Sequence, residues 1–254
     1  MPLSRTLGEL TVIALEDAEA AHFDRREDAI PEATAQDWAA ADAFDPGSLA
    51  ADGRWWLRFR SFAIRYGDGP VTLIDAGVGP AGAPGAWESV GGRLPGELAA
   101  AGIEPGDVTA IVLTHLHSDH IGWALPAWTP FPQARLVVQR ADVSAFGALL
   151  NDSLLADPDR LDVLDGDADL GNGVRAVATP GHTPGHQCVV VSAGDERLAI
   201  TGDLFVHAVQ FLRPDLAYTH DMDAAQARES RTRLLDTPWS WLASSHLGDP
   251  FIRG

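Results

Sequence analysis

Residues 108–114 read VTAIVLT, apolar enough to be a buried strand, and the chain leaves that strand through Thr114-His115-Leu116-His117-Ser118-Asp119-His120. Three of the nine histidines thus stand within six positions. Imidazole and carboxylate groups are costly to bury without partners. The stretch is either a hydrogen-bonded polar loop or a set of groups sharing one partner, and the clustering favours the second. A loop at a strand end can aim alternate side chains at one point. His115 and His117 can share one metal ion while Asp119 and His120 turn to a second. Neutral imidazole and carboxylate suit Zn and the neighbouring divalent metals.

More metal-competent residues follow strands further along. Thr179-Pro180-Gly181-His182-Thr183-Pro184-Gly185-His186 is a tight turn with two histidines, Thr201-Gly202-Asp203 ends an apolar run, and Ser244-Ser245-His246 ends another. Strand ends are where α/β architectures gather their sites. Strands are expected at 10–15, 55–66, 71–75, 108–114, 135–139, 174–178, 187–192, 197–202 and 239–244. Helices are expected near 94–103, 140–150 and 223–236. Many of the strands are hairpin-like and crossovers are few, which favours two sheets with helices outside over one parallel sheet.

Composition narrows the chemistry. The chain has 254 residues and a formal charge of −18, and its 18 basic residues are all arginine. Lysine Schiff-base chemistry and a phosphate-binding P-loop lysine are excluded. The acidic balance argues against nucleic acid and against an anionic membrane surface as partners. One cysteine, Cys188, rules out an intrachain disulfide framework. The first apolar stretch, 10–15, is too short for a signal-peptide core, and no run is long enough to span a bilayer. A cytoplasmic protein is expected. Residues 16–52 carry a net charge of −9, half the total. They read as a solvated acidic insertion in a single domain, with a substrate lid as the lesser reading. Gly77-Val78-Gly79-Pro80-Ala81-Gly82 formally matches a dinucleotide fingerprint, but its prolines forbid the helix such a site needs, and a loop is expected.

Together, the HxHxDH stretch, the PGHTPGH turn, TGD, the late SSH and Asp75 within LIDAG resemble, in type and order, the metallo-β-lactamase superfamily. The resemblance covers about residues 10–250. It implies a four-layer αββα sandwich of two mixed sheets with outer helices. It also implies a ligand set: His115, His117 and His182 for one metal, Asp119, His120 and His246 for the other, and Asp203 bridging them. Asp75 would support the histidine loop from behind. His186 reads as support or a structural turn rather than a ligand, since seven ligands suffice. Two divalent ions, Zn first with Mn, Fe or Co as alternatives, would supply a bridging hydroxide and a Lewis acid. Asp119 would also move a proton as a catalytic group.

Within the superfamily, Asp203 stands where one group of true β-lactamases has Cys, and His117 where flavodiiron proteins have Glu. The stretch GDLFVHAVQF (202–211) is similar to a segment of the branch of quorum-quenching lactonases and methyl parathion hydrolase. The well-known lactonases place a catalytic Tyr three residues after the bridging Asp, where this chain has Val206. The expected activity is dinuclear metal-dependent hydrolysis of a lactone or small uncharged ester by attack of a metal-bridged hydroxide. The rival readings are a mononuclear iron dioxygenase of the persulfide type and a non-catalytic ligand-binding member of the fold. Trp123, Phe205 and His207 are candidates for the substrate pocket, and Trp55, Trp239 and Trp241 for core packing. A small-molecule substrate is the expected partner, and a homodimer is one reading of the assembly.

Overall fold

Successive residues of a strand face opposite sides of its sheet, and along Leu10–Ala21 that alternation decides the layering. Val12 and Ala14 enter one core while Ile13 and Leu15 enter another. The computed structural model describes residues 2–150 and 153–254 and contains two sheets. The first runs in chain order through β1 (Ser4–Leu7), β2 (Leu10–Ala21), β3 (Trp56–Tyr66), β4 (Val71–Ile74), β5 (Val108–Val112), β6 (Arg135–Gln139) and β7 (Leu161–Leu164). It is antiparallel from β1 to β4 and parallel from β4 to β7. The remaining strands are β8 (Ala168–Gly171), β9 (Val174–Ala178), β10 (Gln187–Ala193), β11 (Glu196–Ile200), β12 (Trp241–Ala243) and β13 (Phe251–Arg253). They form the second sheet in the order β13-β12-β11-β10-β9-β8, with β11 and β12 parallel.

The helices are α1 (Arg26–Ala29), α2 (Ala35–Phe44), α3 (Leu94–Ala100), α4 (Ser118–Ile121), α5 (Arg140–Leu150), α6 (Ala208–Leu212) and α7 (Ala224–Leu235). Between the sheets, Val12, Phe62, Ile74 and Val112 meet Val189, Val191, Leu198 and Ile200. On the outer face of the first sheet, Leu94 and Leu98 of α3 join the cluster of Leu15, Leu73 and Ile111. Behind the second sheet, Leu234 of α7 joins Cys188, Val190 and Ala199. The result is the αββα sandwich of two mixed sheets that the sequence implied. Among the described residues no helix is long and apolar enough to cross a membrane.

The expected strands and helices all occur, with ends displaced by a few residues. The largest displacement is in β2, which continues from Leu15 to Ala21 through Glu16, Asp17 and Glu19. The acids lie inside a strand because each has a partner. Glu16 reaches Arg60 and Arg93, and Glu19 pairs with Arg58. The register is interrupted once, where Glu16 faces Arg60 and Ala18 faces Phe59, so Asp17 is the extra residue of a β-bulge. Its buried carboxylate accepts from Val78 N and Leu94 N at 2.7 Å and from Trp123 Nε1 at 3.0 Å. Those bonds tie down both ends of the glycine-rich loop between β4 and α3. Beyond β2, the acidic stretch forms α1 and α2. Trp38 and Ala41 of α2 pack with Ala208 and Val209 of α6, and Arg26 lies over Trp38 at 4.7 Å. The expectation had no β1, β7, β8 or β13. Each has only three or four residues, too few for alternation to be read.

Asp17→Ala strands two buried amide donors and the half-buried Trp123 indole. Unsatisfied buried groups cost about 1–3 kcal/mol each, so the variant is expected to lose about 3 kcal/mol of unfolding free energy or more. A urea titration monitored by circular dichroism would measure the shift in midpoint.

Candidate metal centre

Each element of the centre is a strand exit that a neighbouring group holds in place. After β5, the Thr114 amide and hydroxyl donate to Asp75 at 2.7 and 2.8 Å. The loop then turns His115, His117 and, one turn into α4, His120 toward the space above the strand ends. Asp75 itself has φ +59°, a left-handed conformation that aims its carboxylate back at the loop. The PGHTPGH turn is pinned from α5, where Asp142 accepts from Thr183 Oγ1 at 2.9 Å and from Gly185 N at 2.5 Å. Gly181 is required in that turn. Its φ is +136° and a Cβ there would stand 2.1 Å from the Ala227 amide nitrogen. Asp203 follows β11 and His246 follows β12.

The two groups share one carboxylate. In the first, Nδ1 of His117 lies 3.0 Å from Nε2 of both His115 and His182, and Asp203 Oδ2 is 3.3 Å from His182 Nε2. In the second, Asp203 Oδ1 is 2.8 Å from His246 Nε2 and 3.0 Å from His120 Nε2, with Asp119 Oδ2 at 3.5 Å from His120. Within each quartet the donor atoms lie within 4.8 Å of one another. The edge of a tetrahedral Zn site with bonds of about 2.0–2.1 Å is close to 3.4 Å, so both quartets have the right size. His120 Nε2 and Asp203 Oδ1 are buried without a hydrogen bond although they face each other, as atoms aimed at a shared third body are. The donor set therefore fits two divalent ions.

The outward nitrogens are held as well. His120 Nδ1 meets Asp75 at 2.8 Å, His246 Nδ1 donates to the Arg58 carbonyl at 2.7 Å, and His182 Nδ1 meets Asp221 at 3.2 Å. Such partners fix the tautomer and raise ligand basicity. His186 stands behind Asp203 and belongs to neither donor quartet. Its Nδ1 faces Thr179 Oγ1 at 2.9 Å, and its Nε2 accepts from the Asp203 amide at 3.1 Å. Burial pushes His186 down to about 3, so it stays neutral in that role.

Protonation follows position. Burial and neighbouring histidines hold His115 well below the usual imidazole range, and His117 falls to about 4. Burial also acts against a charge on His182. Hydrogen bonds to Asp203 and Asp221 outweigh it and raise the group to about 9. Metal binding at neutral pH must expel that proton, so affinity falls as pH falls.

Trp123, Phe205 and His207 do not line the cavity over the centre. Trp123 is drawn away by its bond to Asp17. Phe205 is fully buried and stacks on Phe211 at 4.0 Å. His207 caps α6 by accepting from Val209 N, with its ring between Trp38 and Trp55. All three follow a ligand closely in sequence, but tight turns aim them into the cores. The cavity, about 280 Å³, is walled instead by His22, Phe23, Trp55, Trp87, Val206 and Tyr218. Trp55 thus faces the site rather than only packing the core. The sequence reading also missed Asp221. The one local signal was the cluster Tyr218-Thr219-His220-Asp221 between two helices. Beside the first cavity is a larger apolar groove of about 780 Å³, where Leu125, Trp128, Phe146 and Leu150 face one another and His117 and Ser118 line both spaces.

These features define a metal-site αββα protein, and the chain belongs to the metallo-beta-lactamase superfamily, whose model matches residues 60–246. Among curated proteins it is 33% identical over 102 residues to an N-acyl homoserine lactonase of Bacillus sp, covering 39% of each chain. It is 36% identical over 139 residues to rat metallo-beta-lactamase domain-containing protein 1, covering 54% of this chain and 47% of that one. The chain thus spans less than half the length of these relatives. Its fold superposes on the hydrolase AbOPH with a TM-score of 0.80 at 22% identity, covering 99% of this chain and 96% of that one. On AidC, described as a dizinc quorum-quenching lactonase, the TM-score is 0.75 at 23% identity, covering 96% and 90%.

Asp221 also accepts from the buried guanidinium of Arg231 at 3.2 Å, so the His182 support is itself anchored. Asp221→Asn is expected to weaken metal binding about 10–100-fold, as removal of such partners does. Competition with a chromogenic chelator would measure it, and unchanged affinity would show that Asp221 does not tune the centre.

Proposed function

We propose that the chain is a dinuclear metal-dependent hydrolase that opens a lactone or cleaves a small uncharged ester. The observation that carries this reading is the pair of donor quartets sharing Asp203 at the floor of an aromatic cavity. Relatives and structural neighbours described as lactonases support it. When bound, two divalent ions would polarise a carbonyl and generate a nucleophile from water at neutral pH.

The protein's own groups would do the rest. Trp55, Trp87, Phe23 and Leu57 give the cavity apolar walls that thin out water and favour an uncharged substrate. Asp119 is the more exposed of the two ligand carboxylates, with its side chain at 12% against 7% for Asp203. It also lines the cavity. That exposure supports a role for Asp119 in holding a proton and returning it to the leaving oxygen. The neighbouring groove would take an apolar arm of the substrate.

The test is proton release by the Zn-loaded protein across lactones, aryl esters, thioesters and phosphotriesters. A preference for lactones or esters is expected. Asp119→Ala and His120→Ala should each lose several orders of magnitude in turnover while remaining folded, and near-wild-type rates in both would remove the dinuclear mechanism. The groove makes a separate prediction. Each methylene buried contributes about 0.8 kcal/mol, so kcat/KM should climb roughly three- to fourfold per added carbon of the acyl arm until the groove is full. Phe146→Ala should flatten that series without altering short substrates.

A further inference from the structure

The cavity that Asp119 and His117 line also holds a pair that neither donor quartet uses. Tyr218 comes from the segment between α6 and α7, and His22 from just beyond the end of β2. The two are far apart in sequence, yet Tyr218 Oη lies 3.0 Å from His22 Nε2. Both side chains are almost fully buried, both line the cavity, and the Tyr218 ring stacks on His182 at 6.1 Å between centroids. A bond between a phenol and an imidazole can run in either direction, and the direction decides whether the phenol proton is committed or free.

The other side of the imidazole settles the direction. The backbone amide of Asp24 points at His22 Nδ1 from 3.0 Å. A main-chain N–H cannot turn away, so a proton on Nδ1 would meet it head-on. Nδ1 is therefore the bare, accepting nitrogen, although the Asp24 carbonyl also lies 3.2 Å away. The ring is kept from flipping, which would put ring carbons where Nδ1 and Nε2 now stand, because Trp55 and Phe23 stack against it, each at 4.2 Å. Asp24 is held in turn by His220, whose Nε2 is 2.6 Å from its carboxylate. The neutral ring then carries its hydrogen on Nε2 and donates it to Tyr218 Oη. Burial is the main cause that lowers His22 to about 4, which keeps the ring neutral, and burial likewise raises the Tyr218 phenol, which keeps its proton.

From this geometry we infer that Tyr218 is a further catalytic residue. Its hydroxyl, held by His22 Nε2–H, keeps its own proton free and donates it as a hydrogen bond to the substrate oxygen that gains negative charge during ester cleavage. The inference rests on the hydrolase reading of this cavity. No proton changes owner in the step. The phenol stays a phenol, and the bond shortens as charge develops. Donation from His22 to the phenol oxygen polarises the O–H further, as chains of hydrogen bonds do. The same site binds a neutral ester less strongly than the charged species that follows it, which is the requirement for raising turnover rather than affinity.

Three measurements test it on the Zn-loaded protein. In nitrogen-15 spectra at neutral pH, assigned by comparison with His22→Gln, His22 should be the neutral tautomer protonated at Nε2. Tyr218→Phe should lower kcat for the best ester or lactone by about 100-fold, the effect of deleting one preorganised donor, with KM within about threefold and Zn content unchanged. His22→Gln, whose amide can still donate to the phenol, should lose less than Tyr218→Phe. An alkyl methylphosphonate monoester, an anion shaped like the tetrahedral species, should bind Tyr218→Phe about tenfold more weakly by calorimetry. An Nδ1-protonated His22 would overturn the inference, because the phenol proton would then be spent on the ring. So would phosphonate affinity that does not change. If wild-type protein cleaves no ester, the hydrolase reading fails by itself, and the tautomer and phosphonate measurements still judge Tyr218.

Discussion

A buried carboxylate shared among four imidazoles is the arrangement on which the rest of this structure depends. Asp203 is 6% exposed, and His115, His120, His182 and His246 all direct Nε2 toward it. Removing a carboxylate from water is expensive unless positive charge compensates it. These imidazoles hold Asp203 well below the usual carboxylate range, even though burial acts the other way. Four strand exits must converge within a few ångströms for this to happen. The two sheets supply that convergence, since β5 of one and β9, β11 and β12 of the other bring their C-terminal ends to the same edge of the sandwich.

The groups behind the ligands explain why so much of the chain serves so small a volume. Asp75, Asp142, Asp221, His186 and the Arg58 carbonyl come from different elements, and each fixes a ligand or the turn that carries one. Each is buried or bonded on its far side. A metal site that must hold its geometry within tenths of an ångström gains that precision from partners whose own rotamers are locked.

The loops that bring the two donor quartets together were legible in the sequence because their chemistry is local. HxHxDH and PGHTPGH place several donors within one turn, and strand exits announce themselves as apolar runs ending in polar residues. The walls of the cavity were not legible for the opposite reason. Trp55, Trp87, His22 and Tyr218 come from four separate segments and meet only through the tertiary fold. Proximity in sequence misled at Trp123, Phe205 and His207, where a turn of a few residues sends the side chain into a core or a cap. The end of β2 was hidden because Glu16, Asp17 and Glu19 read as solvated surface. Nothing local shows that arginines on β3 and a buried set of amide donors await them. Short edge strands were lost because three or four residues carry no period.

A strand with one residue too many is also a joint. Glu16 and Ala18 already face the adjacent residues Arg60 and Phe59, so the pairing on either side of Asp17 is complete without it. Loss of that single codon would leave both halves of the strand in register with β3. What would change is the local twist and the tether on the loop between β4 and α3, and with them the approach of the chain toward His22. The wall of the cavity can therefore be redrawn by a one-residue step that strand pairing does not resist, once the three donors held by Asp17 find another acceptor.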